Sequence, residues 1–235
     1  MPQLTDVDAI VIDIEGTTSQ TSHVFDVMFP YARVRIADWV NGLSSAERDS
    51  LRTEVAALLS VTELSDADLI AALEKWSDDD IKAAPLKSIQ GQIWARGFAA
   101  GELFGHLFED VAPALSAWHA AGKQLYVFSS GSVQAQQSWF GHSIEGDLTP
   151  YFSGFFDTVS AGNKRAADAY RAITAAIGVA PERTLFLSDV PEELDAAVEA
   201  GWQVVGLARD GEPHAERMRA SKYAVVNTFT STFCS

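Results

Sequence analysis

The sequence predicts an α/β protein, a doubly wound parallel sheet with a helical cap inserted after the first strand. Three observations carry this reading. Short, uninterrupted apolar runs rich in β-branched and aromatic residues recur along the chain. Each is followed by small or acidic residues and then by a helical pattern, whereas the long region after the first run contains no strand-like segment. Continuous apolar runs of this length read as strands buried on both faces, and strand–helix alternation builds parallel sheets.

The elements follow in chain order. Residues 9–12 form the first strand, with Asp13 at its carboxyl end. Between about Thr21 and Phe108 the apolar residues take helical spacing. Leu51, Val55, Leu58 and Leu59 share a face behind a capping box made by Ser44 and Glu47. A second stripe is Leu69, Ile70, Leu73 and Trp76, and a third helical region over 81–108 carries Ile89, Ile93, Trp94 and Phe98. Stripes of this kind pack a core. Strand runs return at 125–128, 184–187 and 204–207. A helix with Ala166, Ala169, Tyr170, Ile173 and Ile177 on one face precedes the third run. Pro191, Glu192 and Glu193 open the helix after it, and Gly201 closes that helix. The expected domains are a core of residues 1–20 and 109–235 and a cap of 21–108.

Composition narrows the function. The 235 residues include 17 basic and 32 acidic, a formal charge of −15, and 47% are hydrophobic. So apolar a chain can bury a sizeable core, which excludes overall disorder. Its acidity argues against nucleic acid or an anionic membrane as partner. The longest uncharged stretch, 124–144, is too dense in Ser, Gln and His to span a bilayer. Asp6 and Asp8 precede the first apolar run, unlike a secretory signal. With Cys234 as the single cysteine, no disulfide framework can form within the chain. These features predict a cytoplasmic monomer acting on a small molecule.

In an open parallel sheet, ligands bind beyond the carboxyl ends of the strands. Past the first strand stand Asp13, Ile14, Glu15, Gly16, Thr17 and Thr18; past the second, Ser129, Ser130, Gly131 and Ser132; past the third, Ser188 and Asp189. Lys164, preceded by Gly162 and Asn163, stands at the start of a helix. Carboxylates, hydroxyls and an amine on one rim suit phosphoryl transfer. A phosphomonoester dianion and carboxylates repel, so a hard divalent cation must lie between them, and Mg²⁺ suits oxygen donors. Asp13 would attack phosphorus. Glu15 would protonate the leaving oxygen and later activate water. Ser129, the amides after it and Lys164 would hold the phosphate oxygens.

These positions, in this order, resemble the four motifs of the haloacid dehalogenase superfamily: Asp-Ile-Glu-Gly-Thr-Thr at 13–18, Ser-Ser-Gly-Ser at 129–132, Lys164, and Leu-Ser-Asp-Val-Pro at 187–191. More narrowly, residues 13–19 with Phe-Pro-Tyr-Ala at 29–32 are similar to the enolase-phosphatases of methionine salvage. So are the stretches at 89–94, 101–103, 140–143 and 146–149. The likeness spans about residues 8–210, and the tail after Glu212 shows little of it. Two departures are Asn163, where Pro or His is common, and His23, where Phe is usual.

The resemblance implies a Rossmann-like superfamily core and an enzyme acting on 2,3-diketo-5-methylthiopentyl-1-phosphate. Such an enzyme enolises the diketone and then removes phosphate, giving the acireductone 1,2-dihydroxy-3-keto-5-methylthiopentene. Mg²⁺ would be held by the Asp13 carboxylate, the Glu15 main-chain carbonyl and Asp189, while Ser129, Ser130 and Lys164 would bind substrate. The enolisation base stays open among Glu15, the returning segment's Glu102 or His106, and the cation itself. The alternative is a phosphatase of another small phosphoester on the same core. A non-catalytic scaffold has no need of mutually repelling carboxylates, and halide removal needs no metal.

Overall fold

Six parallel strands make one sheet: β1 (Ala9–Ile12), β2 (Gln124–Phe128), β3 (Phe152–Phe156), β4 (Thr184–Ser188), β5 (Gln203–Leu207) and β6 (Val225–Val226), in the order β3-β2-β1-β4-β5-β6. The computed structural model describes residues 2–233, so Cys234 lies outside the described residues. β1 and β4 are buried along their whole length, as their apolar runs require. Val11 of β1 sits in register with Tyr126 of β2 and Phe186 of β4. The chain winds from β1 outward to β3, then returns to β4 and winds the other way. The reversal falls between β1 and β4, where the diverging connections open a crevice at the carboxyl ends.

Side chains alternate across the sheet. Ala9, Val11, Tyr126, Phe128 and Phe186 face one way, into a core completed by Tyr170, Ile173, Leu194, Trp202 and Met218. Tyr170 is its hub, with ring centroids 5.6 Å from Phe128, 5.3 Å from Phe186 and 5.2 Å from Trp202. Edge-to-face contacts of this kind add to area burial. The helices Ala167–Ile177 and Pro191–Glu199 supply the covering layer. The expected face of Ala169, Tyr170 and Ile173 is the one that packs, with Ile177 at its margin.

Two strands escape the sequence pattern. β3 is only partly buried and carries Ser153 and Gly154 inside it, so it lacks the apolar run of an inner strand. A Cβ at Gly154 would stand 3.3 Å from the Tyr126 ring. β6 is two residues long, at the opposite edge.

The chain divides into two compact units, Met1–Thr21 with Phe104–Ser235, and Ser22–Leu103. Residues 104–108, expected in the cap, bond within the α/β unit: Gly105 N–H donates to His142 O at 2.9 Å and Phe108 N–H to Thr18 O at 3.0 Å. The helix Ala84–Ala99 stops before them, and Gly101 takes a φ of +69°. The secondary structure of the second unit is all helical, packed around Leu51, Val55, Leu69, Leu73, Trp76, Ile89 and Ile93. Its capping box forms: Glu47 N–H donates to Ser44 Oγ at 3.4 Å, and Ser44 N–H donates to Glu47 Oε2 at 2.9 Å. Leu58 and Leu59 depart from expectation, being exposed in the final turn of Ser45–Leu59, while Leu51 and Val55 of the same helix are buried. No helix among the described residues is long and apolar enough to cross a membrane.

Phe186→Ala, made at a fully buried ring, is expected to cost about 3–5 kcal/mol of unfolding free energy. Leu58→Ala, at an exposed side chain, should stay within about 0.5 kcal/mol. Urea denaturation followed by tryptophan fluorescence checks both.

Candidate active site

The β1–β4 ladder runs one residue past β1, where Asp13 N–H donates to Leu187 O at 3.0 Å. Asp13 is thereby fixed at the mouth of the crevice, and its Oδ1 accepts from Ile14 N–H at 2.8 Å. The chain then reverses sharply. The amides of Thr17, Thr18 and Ser19 all reach Ile14 O, at 3.2, 2.9 and 3.0 Å. Gly16 makes this possible with a φ of +72°, and a Cβ there would fall 2.2 Å from Asp189 Oδ2. The turn brings the fully buried Thr17 back beneath Asp189. Its hydroxyl accepts from Asp189 N–H at 3.0 Å and donates to Asp189 Oδ1 at 3.4 Å.

After β2, Ser129 N–H donates to Phe156 O at 3.2 Å, and Ser129 Oγ accepts from Gly131 N–H at 3.2 Å. Gln136 holds this turn from behind, its amide donating to Gly131 O at 2.7 Å and Phe156 O at 2.8 Å. Lys164 lies in the turn before Ala167–Ile177 rather than at the helix start. Tyr170 OH donates to Lys164 O at 2.7 Å, so the aromatic hub of the core also sets the lysine backbone. Asn163 Oδ1 accepts from Arg165 N–H at 2.9 Å, which assigns that departure to turn shape.

Asp13, Glu15, Ser129, Ser130, Lys164 and Asp189 line one cleft of about 110 Å³, together with Thr21, Glu193 and His214. Lys164 Nζ lies 2.7 Å from Asp13 Oδ1 and 2.9 Å from Glu193 Oε2, and Glu193 also accepts from Ser188 Oγ at 2.9 Å. Glu193 is a participant to which the sequence reading gave no role at the site. Beside Pro191 it reads as an ordinary first-turn acid, and only its spacing of four after Asp189, which puts both near the helix start, hints at a shared site.

Burial works against the Lys164 charge, but Asp13 and Glu193 outweigh it and raise the lysine above its usual range. Asp189 is pushed up to about 8, first by burial and then by the charges of Asp13 and Glu193. The same causes, burial and Asp13, lift Glu193 to about 7. Three carboxylates thus surround one ammonium, an excess of negative charge that fits a divalent cation. No cluster of three or more His, Cys, Asp or Glu side chains among the described residues forms a metal cage. A cation here would take few side-chain oxygens and fill the rest with carbonyl, water and phosphate, the habit of Mg²⁺.

A family model described as haloacid dehalogenase-like hydrolase matches residues 7–201. An enolase-phosphatase E1 from Streptomyces avermitilis is 50% identical over 223 residues, 92% of this chain and 91% of its own. The chain belongs to the enolase-phosphatase E1 family. A second relative so named, from Frankia alni, is 54% identical over 207 residues, 87% of each chain. The crystal structure of the UTR4 protein from Saccharomyces cerevisiae shares the fold at a TM-score of 0.79 and 28% identity, covering 95% of this chain and 98% of that one. This enolase-phosphatase is accordingly a hydrolase of the phosphatase kind, on an α/β Rossmann-like fold.

Of the three side chains considered as enolisation base, Glu15 lines the cleft. Glu102 is held by Tyr31 OH at 2.8 Å and Arg35 at 3.1 Å. His106 Nδ1 meets Ser19 Oγ at 3.2 Å and Gln20 N–H at 3.3 Å, and burial lowers its pKa against a smaller opposing pull from Glu212.

The raised carboxyls give a pH dependence with a definite sign. Unfolded, Asp189 would ionise near 3.8; folded, it holds its proton to about 8. The folded chain therefore binds more protons across that window, so this contribution is present at low pH and lost as pH rises through the folded value. In chelator, thermal stability should fall between about pH 6 and about pH 8.5. Asp189→Asn should flatten that fall and raise the metal-free midpoint at the upper pH, measured by differential scanning fluorimetry.

Proposed function

We propose that this enolase-phosphatase converts 2,3-diketo-5-methylthiopentyl-1-phosphate to the acireductone 1,2-dihydroxy-3-keto-5-methylthiopentene, as a cytoplasmic monomer. The observation that carries the proposal is the buried Asp13–Lys164 contact of 2.7 Å in a cleft that Glu15 also lines, in a chain half identical to proteins named enolase-phosphatase. The Asp13 and Asp189 carboxylates and the Glu15 main-chain carbonyl would hold Mg²⁺. Bound there, Mg²⁺ offsets the charge of phosphate and carboxylates and polarises substrate oxygens.

Glu15 takes a proton from the carbon bearing the phosphate and returns one to the adjacent carbonyl oxygen, leaving an enol phosphate. Asp13 then attacks phosphorus: its carboxylate forms a bond to the phosphoryl group while the bond to the enol oxygen breaks. The enol oxygen departs as an enolate and receives the proton that Glu15 next takes from water. Water, deprotonated by Glu15, cleaves the aspartyl-phosphate and restores Asp13. Lys164, Ser129, Ser130 and the amides of their turn steady the phosphate oxygens throughout.

Chelation should abolish phosphate release and added Mg²⁺ restore it. Asp13→Asn should fold yet lose phosphate release by on the order of 10³-fold or more, while the enol phosphate still forms and accumulates. Stopped-flow absorbance with a phosphate assay reads both events. Phosphate appearing with no enol phase, or equally fast cleavage of phosphomonoesters lacking a diketone, would replace this reading with a general phosphatase. Lys164→Met should remain folded and raise KM sharply, since the phosphate loses its fixed ammonium.

A further inference from the structure

The cleft is supported from below by a residue that does not line it. Arg209, just past β5, is 4% exposed. Its Nε donates to Thr17 O at 3.0 Å, and its Nη1 donates to Asp110 Oδ1 at 2.6 Å and Asn227 O at 3.1 Å. The guanidinium lies 4.4 Å from the Phe108 ring centroid and 5.2 Å from that of Phe229. Asp110 Oδ2 in turn accepts from Phe229 N–H at 2.5 Å, and Phe229 packs 5.2 Å from Trp118. One side chain thus ties the segment after β6 to the loop after β1.

The geometry points to Arg209 as a positioning residue that sets Asp189 for the cation through Thr17, with the C-terminal segment as part of that support. This rests on the reading in which Asp189 holds Mg²⁺. Among the described residues Asp189 makes no ion pair, and the Thr17 hydroxyl, bonded to its amide and its Oδ1, is what orients its carboxylate. Threonine is restricted at χ1, so pinning its carbonyl narrows the directions its hydroxyl can take. Pinning needs a planar fork that reaches two carbonyls and a carboxylate while lying on aromatic faces. Lysine, with one compact ammonium, cannot do this.

The test uses the full chain and Mg²⁺ alone, with half-saturation read by calorimetric titration and by the Mg²⁺-dependent rise in thermal midpoint. Arg209→Lys is expected to raise half-saturation about tenfold, as loss of an outer support to a metal ligand does. Thr17→Val should do the same, and the double variant should be no worse than either single. A lowered metal-free midpoint with unchanged half-saturation would make Arg209 merely structural and overturn the inference, as would additive effects. Should Arg209→Lys fail to fold, Phe229→Leu, which keeps the guanidinium but removes a ring beneath it, must weaken Mg²⁺ in the same direction; no change there overturns the inference. Asp189→Asn separates the two readings: Mg²⁺ binding that survives it refutes the cation assignment itself.

Discussion

Lys164 and the carboxylates around it are the constraint on which the rest of the site depends. Asp13 comes from the end of β1, Glu193 from the first turn of the helix after β4, and the lysine from a turn between β3 and β4. None of these is close to another in sequence except through the sheet. Bringing them together with Asp189 concentrates more negative charge than one ammonium balances, which works against the metal-free fold. The aromatic core resists this. Tyr170 packs on Phe128, Phe186 and Trp202 while its hydroxyl holds the lysine carbonyl. The same ring that buries apolar area therefore positions the counter-charge, so the stable part of the fold and the strained part are joined at one residue.

Much of this is legible in the sequence, for reasons that are local. β1, β2, β4 and β5 announce themselves as apolar runs because both faces of an inner parallel strand are covered. Once those strands are placed, the rule that ligands sit beyond their carboxyl ends selects Asp13, Glu15, Ser129, Ser130 and Asp189, which the structure gathers with Lys164 on one cleft. β3 and β6 are not legible. An edge strand with one open side needs no continuous apolar run, and a two-residue strand has no pattern to read.

The residues missed at the site share another cause. Glu193 satisfies a helix N-terminus, Thr17 a tight turn, and Arg209 the surface-like run Arg-Asp-Gly. Each has an adequate local explanation that hides a long-range partner: Lys164 for the first, Asp189 for the second, Thr17 for the third. Leu58 and Leu59 err the other way, since periodicity assigns them a face but not an opposing surface.

On the proposed reading, the short loop after β1 gives two carboxylates two residues apart different work. Asp13 is buried, and its Oδ1 is held by both the Ile14 amide and the lysine ammonium. So pinned a group cannot swing to carry protons, but it can present a fixed oxygen to phosphorus. Glu15 is exposed on the cleft wall, where a longer side chain can move between substrate carbon, leaving oxygen and water. Environment rather than residue type divides the labour. Gly16 enforces the division. Its left-handed turn leaves Glu15 at the outer point of the loop and folds Thr17 inward to Asp189, within 2.2 Å of where any Cβ would stand. A side chain at Gly16 would therefore drive into Asp189 and strain the reversal that carries Glu15 and Thr17, so on the proposed reading one turn of the chain sets proton carrier and cation ligand together.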